Sequence, residues 1–131
     1  MAASALRNSD FATGAPSAAR AVPHPIDLVH LSRQTMGDRA LEIEVLALFD
    51  RQAAQISERL GAIEIDRAGV WRADLAHKLK GSARAIGAFE VATAAEDYEH
   101  RVRAGLLRAA DAQALVDSII RARRALRDLA G

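Results

Sequence analysis

From Pro25 onward, apolar residues recur at steps of three and four, the spacing that gathers them on one side of an α-helix. The first such stretch is short. Asp27 is placed to cap a helix carrying Leu28, Leu31 and Met36, and Gly37 stops it. Asp38 then heads a longer helix with Leu41, Val45, Leu48, Gln52, Ile56 and Leu60 at helical spacing, ended by Gly61. A third helix starts near Asp66 or Arg67 and runs to about Ile86, where Gly87 breaks it. The fourth carries Val91, Ala95, Tyr98 and Val102 in one stripe and ends near Gly105. The fifth begins around Ala110, with Leu115, Ile119, Ala122, Leu126 and Leu129 at steps of 4, 3, 4 and 3. No segment alternates with period two for long enough to form a strand. Short connections at 61–66, near 87 and at 105–109 favour antiparallel neighbours. The expected fold is all-α: an up-down-up-down four-helix bundle with a short leading N-terminal helix.

Residues 1–25 differ in kind. Ala, Ser, Gly and Pro dominate them, and no apolar period persists. They read as a flexible N-terminal tail, which leaves residues 26–131 as the helical bundle domain.

Composition narrows the function classes. Half of the residues are hydrophobic but only 4% are aromatic, so the core is built from Ala, Leu, Val and Ile on helix faces. Eighteen basic residues nearly balance seventeen acidic ones, and a net charge of +1 gives no reason to expect nucleic acid as a partner. Arg121, Arg123, Arg124 and Arg127 read as the wet face of the last helix. The absence of cysteine excludes disulfides, thiolate metal sites and thiol catalysis. No apolar run approaches the roughly 20 residues that span a bilayer, and the N-terminus lacks signal-peptide features. A cytoplasmic protein without a membrane partner is the expectation.

The chemistry concentrates between Asp74 and Ala88. Each residue advances about 100° around a helix. Leu75, Leu79, Ser82 and Ile86 then fall in a narrow sector, the core side, with Ser82 its only polar member. His77 lies about 200° from Leu75, nearly opposite. Lys80, Gly81 and Arg84 follow His77 by three, four and seven residues and share its face. A mid-helix glycine costs about 1 kcal/mol relative to alanine. Beside an exposed histidine it clears the space any Cβ would fill, so a bulky partner can approach the ring. Lys80 and Arg84 can hydrogen-bond an anion placed on the imidazole. A neutral imidazole nitrogen is nucleophilic without a base to activate it. The competing reading is a plain surface histidine with cations one turn away; Gly81, on the side away from the apolar stripe, weighs against it.

His77-Lys78-Leu79-Lys80-Gly81-Ser82-Ala83, followed by Ile86-Gly87-Ala88, resembles the signature of histidine phosphotransfer (HPt) domains of bacterial phosphorelays. The resemblance extends over roughly residues 26–129. It implies that His77 is the phosphoacceptor, that Lys80 assists the phosphorylated state, and that Gly81 gives a receiver domain access; Arg84 supports them by its place on the same helix face. Ser82 would stand at the inner edge of the site. The Leu28–Met36 helix and the exposed face of the next helix would form an apolar docking rim. The implied partners are receiver domains of response regulators and hybrid histidine kinases. The chain would be a monomeric carrier and substrate, not an enzyme, with no cofactor of its own and magnesium only in the receiver. Two positions depart from the family. A Leu-Glu pair common after the motif reads Ala95-Glu96, and Glu99 stands near where some members place Gln. An acid there either weakens a phosphohistidine or points away from it.

The remaining candidates are weaker. His24, His30 and His100 share no metal-ligand spacing. Glu96, Asp97 and Glu99 read as a solvated acidic face, and Trp71 as core or bundle-end packing. Two rivals stand beside the carrier: a sensor-kinase dimerisation helix pair, and a helical adaptor that is never phosphorylated. The first would be dimeric, needs an ATP-binding domain, and usually has an acid where Lys78 stands. The second makes His77 incidental.

Overall fold

Local capping chemistry fixes where the first two elements begin. The computed structural model describes residues 24–61 and 70–130, and among these every regular element is an α-helix. They are α1 (Leu28–Gln34), α2 (Arg39–Gly61), α3 (Val70–Ile86), α4 (Phe89–Arg103) and α5 (Ala109–Ala130). The Asp27 carboxylate accepts from the His30 amide at 3.0 Å and opens α1. Asp38 does the same for Leu41 at 3.1 Å and heads α2. The tail expected at 1–25 lies, up to residue 23, outside the described residues, and so does the start expected at Asp66 or Arg67.

The helices close a ring. α2 packs on α3, α3 on α4, α4 on α5 and α5 back on α2, while α1 lies against α3. This is the expected four-helix bundle with a short leading helix. The stripes on the last two helices turn inward as the periodicity predicts, with Val91, Ala95, Tyr98, Leu115, Ile119, Ala122 and Leu126 all buried. No helix among the described residues is long and apolar enough to cross a membrane.

Three expectations need correction. Met36 is not part of the first helix's stripe: it follows α1, takes a left-handed φ of 55° and is 95% exposed. In α2 the buried stripe is Phe49, Ala53, Ile56 and Leu60, whereas Leu41 and Leu48 are exposed. Two apolar stripes overlap in that helix, and the one containing the aromatic ring removes more surface from water. In α3, Leu79 and Ile86 are buried as expected, but Leu75 and Ser82 are only half-buried. The buried face is instead centred toward Ala76 and Ala83, a turn of roughly 60° about the helix axis.

That rotation has a packing cause. Ala76 and Ala83 on α3, Ala92 and Ala95 on α4, and Ala88 just before α4 are all buried, so small side chains line the junction and let the two helices approach closely. The link between them is also short. Gly87 adopts φ 83°, and the Ala88 amide returns to the Ala83 carbonyl at 2.8 Å, a left-handed cap that reverses the chain within two residues. The Gly87 carbonyl accepts from the Asp27 amide at 2.8 Å, which pins the start of α1 to this corner. At the start of α3, half-buried Trp71 packs beneath two guanidinium groups, Arg59 at 5.6 Å and Arg72 at 5.0 Å from its ring centre.

Candidate functional site

Rotation of α3 toward its alanines carries Lys80 inward and leaves His77, Gly81 and Arg84 outside. The Lys80 side chain is 15% exposed and that of His77 is 63% exposed. Facing them across the junction is Glu99 of α4, one turn beyond the buried Ala95. It is buried among charges, not displayed on a solvated acidic face. The expected acidic group therefore divides: Asp97 is exposed, Glu96 half-buried, and Glu99 turned into the site.

Glu99 organises what surrounds it. His77 Nδ1 lies 3.2 Å from Oε1 and 3.1 Å from Oε2. Lys80 donates to Oε1 at 3.2 Å, and Arg103, one turn further along α4, donates through Nε to Oε2 at 3.1 Å. Arg84 donates to Glu96 at 3.3 Å, and Arg103 also reaches Asp74 at 3.4 Å. Of the residues singled out from sequence, His77 and Lys80 thus meet on one carboxylate, Arg84 joins through Glu96, and Gly81 stands open beside them. Glu99, noted from sequence as an acid near the acceptor that either weakens a phosphohistidine or points away, turns toward the ring; Arg103 and Asp74 carry no such mark in the sequence. The i,i+4 spacing of Glu99 and Arg103 is the local signal that points to Arg103.

Electrostatics follow from these contacts. Burial pushes the Glu99 carboxyl up, but hydrogen bonds from Arg103, His77 and Lys80, with the Lys80 charge, outweigh it and hold it down to about 2. A depressed carboxyl stabilises the fold above its ordinary value of 4.5, and that stabilisation is lost as pH falls through about 2. Wild-type stability is therefore expected to fall more steeply over this window than that of Glu99→Gln. Urea titrations at several pH values check this, and parallel slopes would count against it.

The same carboxylate settles which ring nitrogen is available. A carboxylate only accepts, so Nδ1 donates to it. The uncharged ring then carries its lone pair on Nε2. The site offers a nucleophilic nitrogen on an exposed ring whose orientation is fixed from behind. A Cβ built on Gly81 meets nothing within 4 Å, so no packing within the described chain requires glycine there.

The family model of the Hpt domain matches residues 27–129. The fold is similar to the crystal structure, at 1.52 Å resolution, of the histidine phosphotransferase ShpA from Caulobacter crescentus. The TM-score is 0.62 at 29% sequence identity, covering 81% of this chain and 90% of that one. A comparison with curated protein sequences gave no match.

Proposed function

The chain belongs to the Hpt domain family, and from that premise we propose that His77 is its phosphoacceptor, loaded from the phosphoaspartate of one receiver domain and discharged to the aspartate of another. Its role is phosphotransfer in two-component signalling, as a carrier module and not a catalyst. The observation that carries the assignment is the bond from His77 Nδ1 to Glu99 on an exposed ring beside open Gly81.

The chemistry balances on this geometry. The Nε2 lone pair attacks phosphorus, the P–O bond to the aspartyl oxygen breaks, and its electrons leave with the carboxylate. Nδ1 keeps its hydrogen, so the loaded ring is a phosphoimidazolium whose positive charge faces Glu99. In the onward step an aspartate oxygen attacks phosphorus and the N–P electrons return to Nε2. Phosphoryl transfer depends mainly on in-line positioning and charge neutralisation. Lys80 is the cation of this chain assigned to that task, with Arg84 in support through its pairing with Glu96. The magnesium ion and the remaining catalytic groups are assigned to the receiver.

The docking surface is assigned to α1, the turn after it and the outer face of α2. Leu28, Val29, Met36, Leu41, Ile43 and Leu48 are all exposed there. Isolated apolar residues on a surface are ordinary, but five on two consecutive helices, with Met36 in the turn between them, suit an apolar rim for a receiver. We assign residues 26–131 to the carrier unit, with 1–25 outside it, and expect a cytoplasmic monomer.

Gly81 separates folding from function. Gly81→Ala is expected to raise stability by about 1 kcal/mol, the helix-propensity difference. It is also expected to slow loading by a receiver, because the new methyl group projects where the partner approaches. Chemical denaturation and loading rates check both parts, and faster loading would remove Gly81 from the site.

The deciding experiment mixes the purified protein with phosphorylated receiver domains and magnesium, then records intact mass at neutral pH. One added phosphoryl group, labile to acid, is expected. No label from a broad panel of receivers, with the fold intact, would favour the adaptor instead.

A further inference from the structure

The ion pairs around His77 are doubled, and the doubling is uneven. The Lys80 ammonium touches two carboxylates, Glu99 at 3.2 Å and Glu96 at 3.8 Å. Each has an arginine of its own. Arg103 places Nε 3.1 Å and Nη2 3.0 Å from Glu99 Oε2, and Arg84 places Nη2 3.3 Å from Glu96. Lys80 can therefore depart and leave both carboxylates paired. The reverse does not hold for Arg103: without it, Glu99 has Lys80 as its remaining full cation among these contacts, and Asp74 loses its partner at 3.4 Å.

The two kinds of cation suit this division. A guanidinium is a planar fork that holds a carboxylate in a fixed geometry, whereas an ammonium is a compact charge on a flexible stem. A phosphoryl group on His77 would bring up to about two negative charges beside Glu99. If Glu99 were unneutralised, it would repel that group and hold Lys80 back.

We propose that Arg103 is a positioning residue: it keeps Glu99 neutralised, so that Lys80 is free to leave Glu99 and Glu96 for the phosphoryl oxygens when His77 is loaded. This rests on His77 as the acceptor, and Arg103 acts through Glu99 without touching the phosphoryl group. It also accounts for an acid beside the acceptor, because the carboxylate arrives with a permanent counterion. The depressed Glu99 carboxyl agrees, since a group ionised at every working pH needs a constant partner.

The test is a mutant cycle read by intact mass, with phosphoramidate as a small donor so that receiver docking plays no part. Thermal unfolding of each variant verifies the fold. Arg103→Gln is expected to slow loading of His77 about tenfold, within the range of coupling between contacting charged residues. Arg103→Lys, which keeps a cation one turn from Glu99, restores most of the rate. In the Glu99→Gln background, where no charge needs neutralising, Arg103→Gln costs less than about twofold. An equal loss in both backgrounds overturns the proposal, as does a wild-type rate in Arg103→Gln. If the wild-type chain takes no label, or His77→Gln keeps it, the His77 assignment itself fails and the proposal falls with it.

Discussion

His77→Gln is expected to abolish phosphoryl acceptance completely while leaving stability within about 0.5 kcal/mol of wild type. The two halves of this expectation have separate causes. Glutamine offers no nitrogen lone pair of comparable nucleophilicity, because its amide nitrogen is delocalised into the carbonyl, so the acceptor is lost outright. The fold has little at stake, since the imidazole is 63% exposed and its hydrogen bonds run to Glu99. A glutamine amide can donate to the same carboxylate, and Glu99 keeps Lys80 and Arg103 in any case. Intact mass after incubation with phosphorylated receivers measures the first half, and thermal unfolding the second. Label surviving in the variant would move the acceptor to His24, His30 or His100 and undo the site described above.

The largest structural effect is expected at a different glycine. Gly87→Ala should destabilise the protein by about 2–4 kcal/mol, from two additive sources. Alanine resists φ 83°, which costs roughly 1 kcal/mol. Its Cβ would also stand 2.7 Å from the Asp27 carbonyl oxygen, 3.0 Å from the Asp27 Cβ and 3.1 Å from its amide nitrogen. Two of those atoms are backbone and have no rotamer to move into. Relief of the clash has to come from lifting Asp27 away, which breaks its 2.8 Å bond to the Gly87 carbonyl and releases the start of α1. Urea denaturation of Gly87→Ala checks the size of the loss. A variant as stable as wild type would show that α1 is not held at this corner. The contrast with Gly81 is direct, because alanine meets open space there and favours the helix.

Much of the fold is legible in the sequence. Gly37, Gly87 and Gly105 mark reversals, and each takes positive φ. Asp27 and Asp38 stand at helix starts and accept the amides that caps accept. The stripes of α4 and α5 are buried almost residue for residue. What could not be read was which of two overlapping stripes α2 would bury. Leu48 and Phe49 are adjacent in sequence, yet one is exposed and the other is in the core. Periodicity identifies a helix and its candidate faces, but the choice between faces depends on what the neighbouring helices offer.

The candidate site divides along the same line. Histidine, lysine and glycine at positions 77, 80 and 81 are close in sequence, and a helix of 3.6 residues per turn puts them on one side whatever surrounds it. That much the chain determines by itself, because helix geometry and capping are set by local backbone torsions and local hydrogen bonds. The orientation of the imidazole is decided elsewhere. It comes from Glu99, 22 residues away on another helix, and from Arg103 behind it. Those contacts exist because alanines on α3 and α4 let the two helices approach and turn α3 about its axis. Helical periodicity specifies angles within one helix, and only packing of two helices specifies the angle between their faces. The acceptor was therefore legible in the chain, and the group that aims it arose from the fold.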